Sequence, residues 1–217
     1  AMLAGDTLLF VAYEALLSTD FPPELVQTLS KRITRVLIDT CYGQVIDYEK
    51  AEPVTKERVI EMYRLKTSVY SIEGPLQCGA LLAEAPGADM VSLSAYAEPL
   101  GIAFQIQDDL LDVFPQAETG KPRFGDLREG KQTLLVWYVL THGTEEQVAQ
   151  FGKLLGTDFT QEYGQWLADI IEYSGARRYA EDMVDELYKQ AIDNAARVPR
   201  LQRDLVAFAQ EIMRRKN

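Results

Sequence analysis

The 217 residues, 47% hydrophobic and 25% charged, have the makeup of a soluble globular chain able to bury most of its apolar surface around one core. A formal net charge of -11 argues against a general nucleic-acid or anionic-membrane surface, while leaving room for a small anion met by local cations or metal. No run of 18 apolar residues occurs, so no membrane span is expected, and no basic leader or cleavage pattern marks a signal peptide.

Helical periodicity runs almost throughout, with no convincing alternating strand. Gly5 to Leu17 reads as a helix ending before Phe21-Pro22-Pro23, and Leu25 to about Tyr48 as a second. Thr55 with Arg58 opens a long helix, expected to kink or break at Gly74-Pro75 because proline removes a hydrogen bond and clashes with the turn before it. Another helix runs from about Asp89 to Phe114 and stops at Pro115. Residues 116–130 read as a loop, followed by helices near 131–141, 144–155, 160–173, 176–196 and 200–215. With no linker and no fixed-period repeat, residues 1–217 read as a single all-α domain, a helical bundle. The two cysteines, Cys41 and Cys78, lie far apart and outside any CxxC pattern, which fits a reducing cytoplasm and argues against a thiolate metal site.

The stretch FQIQDDLLD sets acids inside an apolar helix. Gln105, Asp108, Asp109 and Asp112 fall at i, i+3, i+4 and i+7, one face about two turns long. Carboxylates crowded in apolar surroundings need compensation. Oxygen ligands without His or Cys favour Mg²⁺, which binds a few carboxylates and completes its shell with phosphate oxygens. The bland alternative is a solvated acidic stripe. The next stretch, GKPRFGDLREGK, places Lys121, Arg123, Arg128 and Lys131 near Asp126 among three glycines, a plausible diphosphate cradle that is not a Walker A loop. Lys66-Thr67, and Gln44 with Asp47 one turn on, would each pass alone for polar helix faces. His142, the only histidine, reads as structural or solvent-facing, and no Ser or Cys sits in a nucleophile setting.

In order, Gly5-Asp6-Thr7-Leu8, Gly43-Gln44 with Asp47, Lys66-Thr67, Phe104-Gln105 with Asp108-Asp109-Leu-Leu-Asp112, and Gly120-Lys121 through Asp126 to Gly130-Lys131 resemble the trans-isoprenyl diphosphate synthases, or polyprenyl synthetases. The FQxxDDxxD string is similar to that family's second aspartate-rich motif. The resemblance implies an all-helical bundle of the isoprenoid synthase type, cytoplasmic and homodimeric, with Mg²⁺ as cofactor. It implies condensation of an allylic prenyl diphosphate with isopentenyl diphosphate into a longer trans-prenyl diphosphate. It also implies metal ligation by Asp108, Asp109 and Asp112, with Asp126 holding metal-bound water. Lys66, Lys121 and Lys131 would neutralise phosphate, Thr67 and Gln105 would lie at the reacting end, and Gln44 and Asp47 would line the cavity.

One departure stands out. The family's first DDxxD motif, with its paired arginines, has no counterpart, and the expected reading is a chain lacking its amino-terminal part and amino-terminal helices. Ser68 after Lys66-Thr67 and Phe124-Gly125 before Asp126 are smaller departures. Two other classes compete: a non-catalytic partner subunit, which the missing motif favours and the retained lysines disfavour, and a class I terpene cyclase, whose NDxxSxxxE-like site is absent.

Overall fold

Pro22 and Pro23 set the first boundary. They cannot prolong α1 (Met2–Leu17) but suit the first turn of α2 (Pro23–Tyr48), where an N–H has no intrahelical partner to lose. Thr55 opens α3 (Lys56–Tyr63) by accepting a hydrogen bond from the Arg58 amide at 3.3 Å. The computed structural model describes residues 2–115 and 123–214, and among these no strand occurs.

The helix from Thr55 changes its hydrogen-bond register upstream of Gly74-Pro75, where a kink or break is expected. Arg64–Glu73 winds as a π-helix, and Gly74 donates to the Val69 carbonyl, five residues back. The wider turns precede the proline, so α4 (Gly74–Leu82) carries Pro75 in its own first turn, where no donor is required. The helices continue as α5 (Gly87–Val113), α6 (Gly125–Glu129), α7 (Leu134–His142), α8 (Glu145–Leu154), α9 (Gln161–Tyr173), α10 (Ala176–Ala195) and α11 (Gln202–Met213). The short α6 lies in the stretch expected to be loop.

Helix α5 holds an internal proline, Pro99, which lacks the N–H that would reach the Ala95 carbonyl. Asn194 of α10 supplies a donor instead, its Nδ2 lying 2.9 Å from that oxygen. α10 lies along α5 over most of its length, and its fully buried Ala176, Ala180, Ala191 and Ala195 let the two backbones approach. Two apolar clusters grow from this pair. The larger gathers Ile102, Ala103, Ile106 and Val113 of α5 with residues of α3, α7, α9 and the first half of α10. The smaller gathers Leu93, Tyr96, Ala97 and Leu100 with Ile72, Ala191, Ala195, Leu205 and Ala209. Each fully buried leucine, such as Leu100 or Leu167, contributes about 1.5–3 kcal/mol relative to exposure.

The π-helix is held between α2 and α5 by two glycines. A Cβ on Gly43 of α2 would sit 2.8 Å from the Lys66 Cα, and one on Gly101 of α5 would sit 2.5 Å from the Ser68 Oγ. Both helices therefore touch this segment's backbone closely. Ser68, one of the smaller departures, is fully buried and donates to the Ala97 and Glu98 carbonyls at 3.0 and 3.2 Å. No helix among the described residues is long and apolar enough to cross a membrane.

Candidate functional site

Clamping the π-helix fixes where Lys66 and Thr67 point. Lys66 reaches α2, its Nζ 2.6 Å from the Asp47 carboxylate. Thr67 is buried and donates to the Gln105 Oε1 of α5 at 2.5 Å. Gln105 in turn donates from Nε2 to Asp109 at 2.9 Å, and the second Asp109 oxygen accepts from the Tyr63 hydroxyl. Tyr63, itself buried, accepts the Leu134 amide at 2.7 Å, at the first turn of α7. A continuous chain of buried and half-buried hydrogen bonds thus ties α3, the π-helix, α5 and α7 together.

Asp109 was expected beside Asp108 as a metal ligand. The fold turns it inward instead: it is 4% exposed and committed to Tyr63 and Gln105. Burial, with repulsion from Asp126, pushes its carboxyl up to about 8, against hydrogen bonds from Tyr63 and Gln105 that favour the charged form. Burial, with the Asp109 charge, likewise holds the Tyr63 phenol well above its ordinary range. Asp108, one position earlier, is exposed, so the predicted stripe straddles the boundary between core and surface. Asp112 receives the Gly125 and Asp126 amides at 3.0 and 3.2 Å, which moors the start of α6 to the end of α5. Burial and then the Asp126 charge raise its pKa, partly opposed by those two amides.

Phe124, just before α6, takes a left-handed conformation at φ 68°, unusual for a side chain of its size. Its ring is fully buried against Gly164 of α9, where an added Cβ would meet the ring's Cε2 at 2.6 Å. Past α6, Lys131 pairs with Asp126 at 2.5 Å and Glu129 at 3.2 Å. Burial lowers the affinity of that ammonium for its proton, but the two carboxylates outweigh it and the net shift is upward. Gly120 and Lys121, the other half of the expected cradle, lie outside the described residues.

A cleft of about 460 Å³ brings the separate stretches together. Gln44, Asp47, Lys66 and Lys131 all line it, joined by Tyr48, Lys50 and Glu129. Of these last three, none stood out in the sequence. Tyr63 was also missed, although its place one turn before Thr67 was a usable signal. His142 lies elsewhere, stacked on Tyr138 with ring centroids 4.3 Å apart.

The acids do not form a ready-made cage: among the described residues no three His, Cys, Asp or Glu side chains converge to hold a metal ion. The exposed Asp108 and the nearby Asp126 are hard oxygen donors without nitrogen or sulfur. Such a sparse set fits Mg²⁺, which keeps waters and takes one or two carboxylates plus phosphate oxygens.

Residues 1–171 match the family model described as polyprenyl synthetase. The chain is 33% identical over 210 residues to a (2E,6E)-farnesyl diphosphate synthase of Mycobacterium tuberculosis, covering 91% of this chain and 56% of that protein. It is 34% identical over 196 residues to a geranylgeranyl pyrophosphate synthase of Geoglobus acetivorans, covering 89% of this chain and 60% of that one. The chain thus spans little more than half the length of these curated relatives. Among solved structures, it is similar to geranylgeranyl pyrophosphate synthase from Corynebacterium glutamicum complexed with isoprenyl diphosphate and magnesium. There the TM-score is 0.91 at 28% identity, over 98% of this chain and 62% of that one.

Proposed function

Because this chain belongs to the polyprenyl synthetase family, we propose that it forms part of the catalytic site of a Mg²⁺-dependent trans-prenyltransferase. The reaction would join an allylic prenyl diphosphate to isopentenyl diphosphate. One observation carries the proposal: the 460 Å³ cleft collects Gln44, Asp47, Lys66 and Lys131 from three stretches that are distant in sequence.

In this reading Lys66 and Lys131 bind the allylic diphosphate, exchanging carboxylate partners for phosphate oxygens. Their charges favour ionisation because negative charge grows on the departing diphosphate, so fixed cations bind the transition state better than the substrate. Thr67 and Gln105, locked to one another, present neutral polar groups beside the reacting carbon. Asp109 and Tyr63 orient Gln105 from within the core. Asp108 is the foremost metal ligand, with Asp126 and Asp112 close behind and Lys121 a further phosphate contact. The Mg²⁺, when bound, would supply further positive charge against the diphosphate. No histidine is required as base, since the released diphosphate can take the proton lost in condensation.

Residues 1–217 act as one domain in this reading, supported by the run of α5 and α10 through both apolar clusters. A cytoplasmic homodimer also belongs to it. Self-association is supported by the exposed Leu3, Leu8, Phe10 and Val11 of α1, an apolar surface of the kind that marks an interface. The test is incubation with Mg²⁺, isopentenyl diphosphate and geranyl or farnesyl diphosphate, with products identified by mass. A longer prenyl diphosphate is the expected product. Failure both to turn over and to bind an allylic diphosphate in a Mg²⁺-dependent way would overturn the reading.

A further inference from the structure

Three ammonium groups border the cleft, those of Lys50, Lys66 and Lys131, against two carboxylates, Asp47 and Glu129. In a chain of net charge -11, three cations gathered at one cleft mark it as a site for an anion. Lys66 and Lys131 are each committed to carboxylates, at 2.6 Å to Asp47 and at 2.5 and 3.2 Å to Asp126 and Glu129. Lys50 forms no ion pair among the described residues.

The residue is exposed, but the backbone beside it is held and its ammonium has close neighbours. It lies two residues past the end of α2, and the next residue, Ala51, is clamped by the Gln132 side chain. That amide accepts from the Ala51 N–H at 3.1 Å and donates to the Ala51 carbonyl at 2.8 Å. Gly130 and Gly156 face the ammonium, with φ 66° and 77°. A Cβ at Gly130 would come within 2.6 Å of the Lys50 Nζ, and one at Gly156 within 3.3 Å. Two side-chain-free turns therefore make the space in which the ammonium rests, beside the residue that precedes Lys131. Glu52 borders the neighbouring cavity of about 600 Å³ that Lys50 also lines, but forms no ion pair with it.

We propose that Lys50 is a third diphosphate-binding ammonium of this cleft, held by the Gln132 clamp and the two glycine turns. The proposal rests on the reading of the cleft as a diphosphate site. Its chemistry differs from that of the two paired lysines. The charges of Lys66 and Lys131 are partly offset by the carboxylates they hold, whereas Lys50 has no carboxylate partner among the described residues. Lys50 therefore contributes most to the first capture of the diphosphate.

The experiment is calorimetric titration of inorganic diphosphate, with Mg²⁺ present, into this chain and into K50Q, K50R and K189Q. Lys189 is exposed on α10 and controls for the loss of one positive charge. K50Q is expected to weaken binding about tenfold or more, the size of a charge-assisted contact. K50R should retain most of the affinity, and K189Q should match the unaltered chain. Equal affinity in K50Q and K189Q would overturn the assignment while leaving the cleft a diphosphate site. Equal losses in K50Q and K50R would make Lys50 a spacer between loops, which also overturns it. Absence of any binding by the unaltered chain would remove the diphosphate reading, and this proposal with it.

Discussion

At Tyr63 one hydroxyl meets two demands, donating to Asp109 and accepting from the Leu134 amide. Tyr63→Phe keeps the ring but leaves a buried oxygen and a buried N–H without a partner, and should cost about 1–3 kcal/mol. Urea denaturation measures this; a change inside the roughly 0.5 kcal/mol typical of surface substitutions would show that the hydroxyl is not engaged. Asp109 makes a prediction with a sign. Its carboxyl is pushed up to about 8 from an ordinary 3.8, so between those values the folded chain keeps a proton that the unfolded chain has released. Stability from this group therefore falls as pH rises from about 4 to about 8 and is level above. In metal-free protein, Asp109→Asn should gain on the unaltered chain across that range, by up to about 1.4 kcal/mol per pH unit. Parallel stability curves in the presence of chelator would mean that the carboxyl ionises normally. At this scale spacing and charge in the sequence single out Lys66 and Lys131, which the fold brings to one cleft. The sequence could not tell Asp108 from Asp109, since one step of 100° around a helix moves a side chain from solvent to core. Nor could it single out Lys50, whose neighbours Gly130 and Gly156 are brought to it only by the fold.

Helix limits were largely legible. The second helix, expected from Leu25 to about Tyr48, runs Pro23–Tyr48, and the one expected from Asp89 to Phe114 runs Gly87–Val113. Prolines and caps mark such ends directly. The π-helix was not legible, because a change in hydrogen-bond register has no residue type of its own, and the visible Gly74-Pro75 drew the break downstream. The compensation of Pro99 by Asn194 was equally hidden, the donor lying 99 residues from the Ala95 carbonyl it meets. The glycine contacts that seat the π-helix give a paired test. Gly43→Ala drives a methyl into the Lys66 backbone and should cost about 1–3 kcal/mol while displacing Lys66 from Asp47. Gly79→Ala, exposed on α4 with open space around its Cβ, should instead stabilise by up to about 1 kcal/mol. Thermal denaturation of both variants decides it: similar effects of one sign would deny any special packing at Gly43.

For the molecule as a whole, a metal at Asp108 and Asp126 acts together with an anion at the cleft lysines in the proposed reading. Mg²⁺ with inorganic diphosphate, at a hundred times the dissociation constant, should stabilise the fold by about 2.7 kcal/mol. For a chain of this size that corresponds to a rise of about 5–10 °C in Tm. Chelator should abolish the rise, and neither component alone should reproduce it. The site elements α3 and α7 and the end of α5 root in the larger apolar cluster, while α11 and the start of α5 root in the smaller. The border falls between Leu100 and Ile102 on α5, just past Pro99, where the helix's own ladder is interrupted and a side chain from α10 completes it. Amide hydrogen exchange can therefore report how the two halves open. If the clusters open separately, ligand in the cleft will slow exchange at Ile106 and Val139 and leave Leu93 and Ala195 untouched. If the Asn194 bridge carries cooperativity across the border, all four will slow alike, and Asn194→Ala will part them.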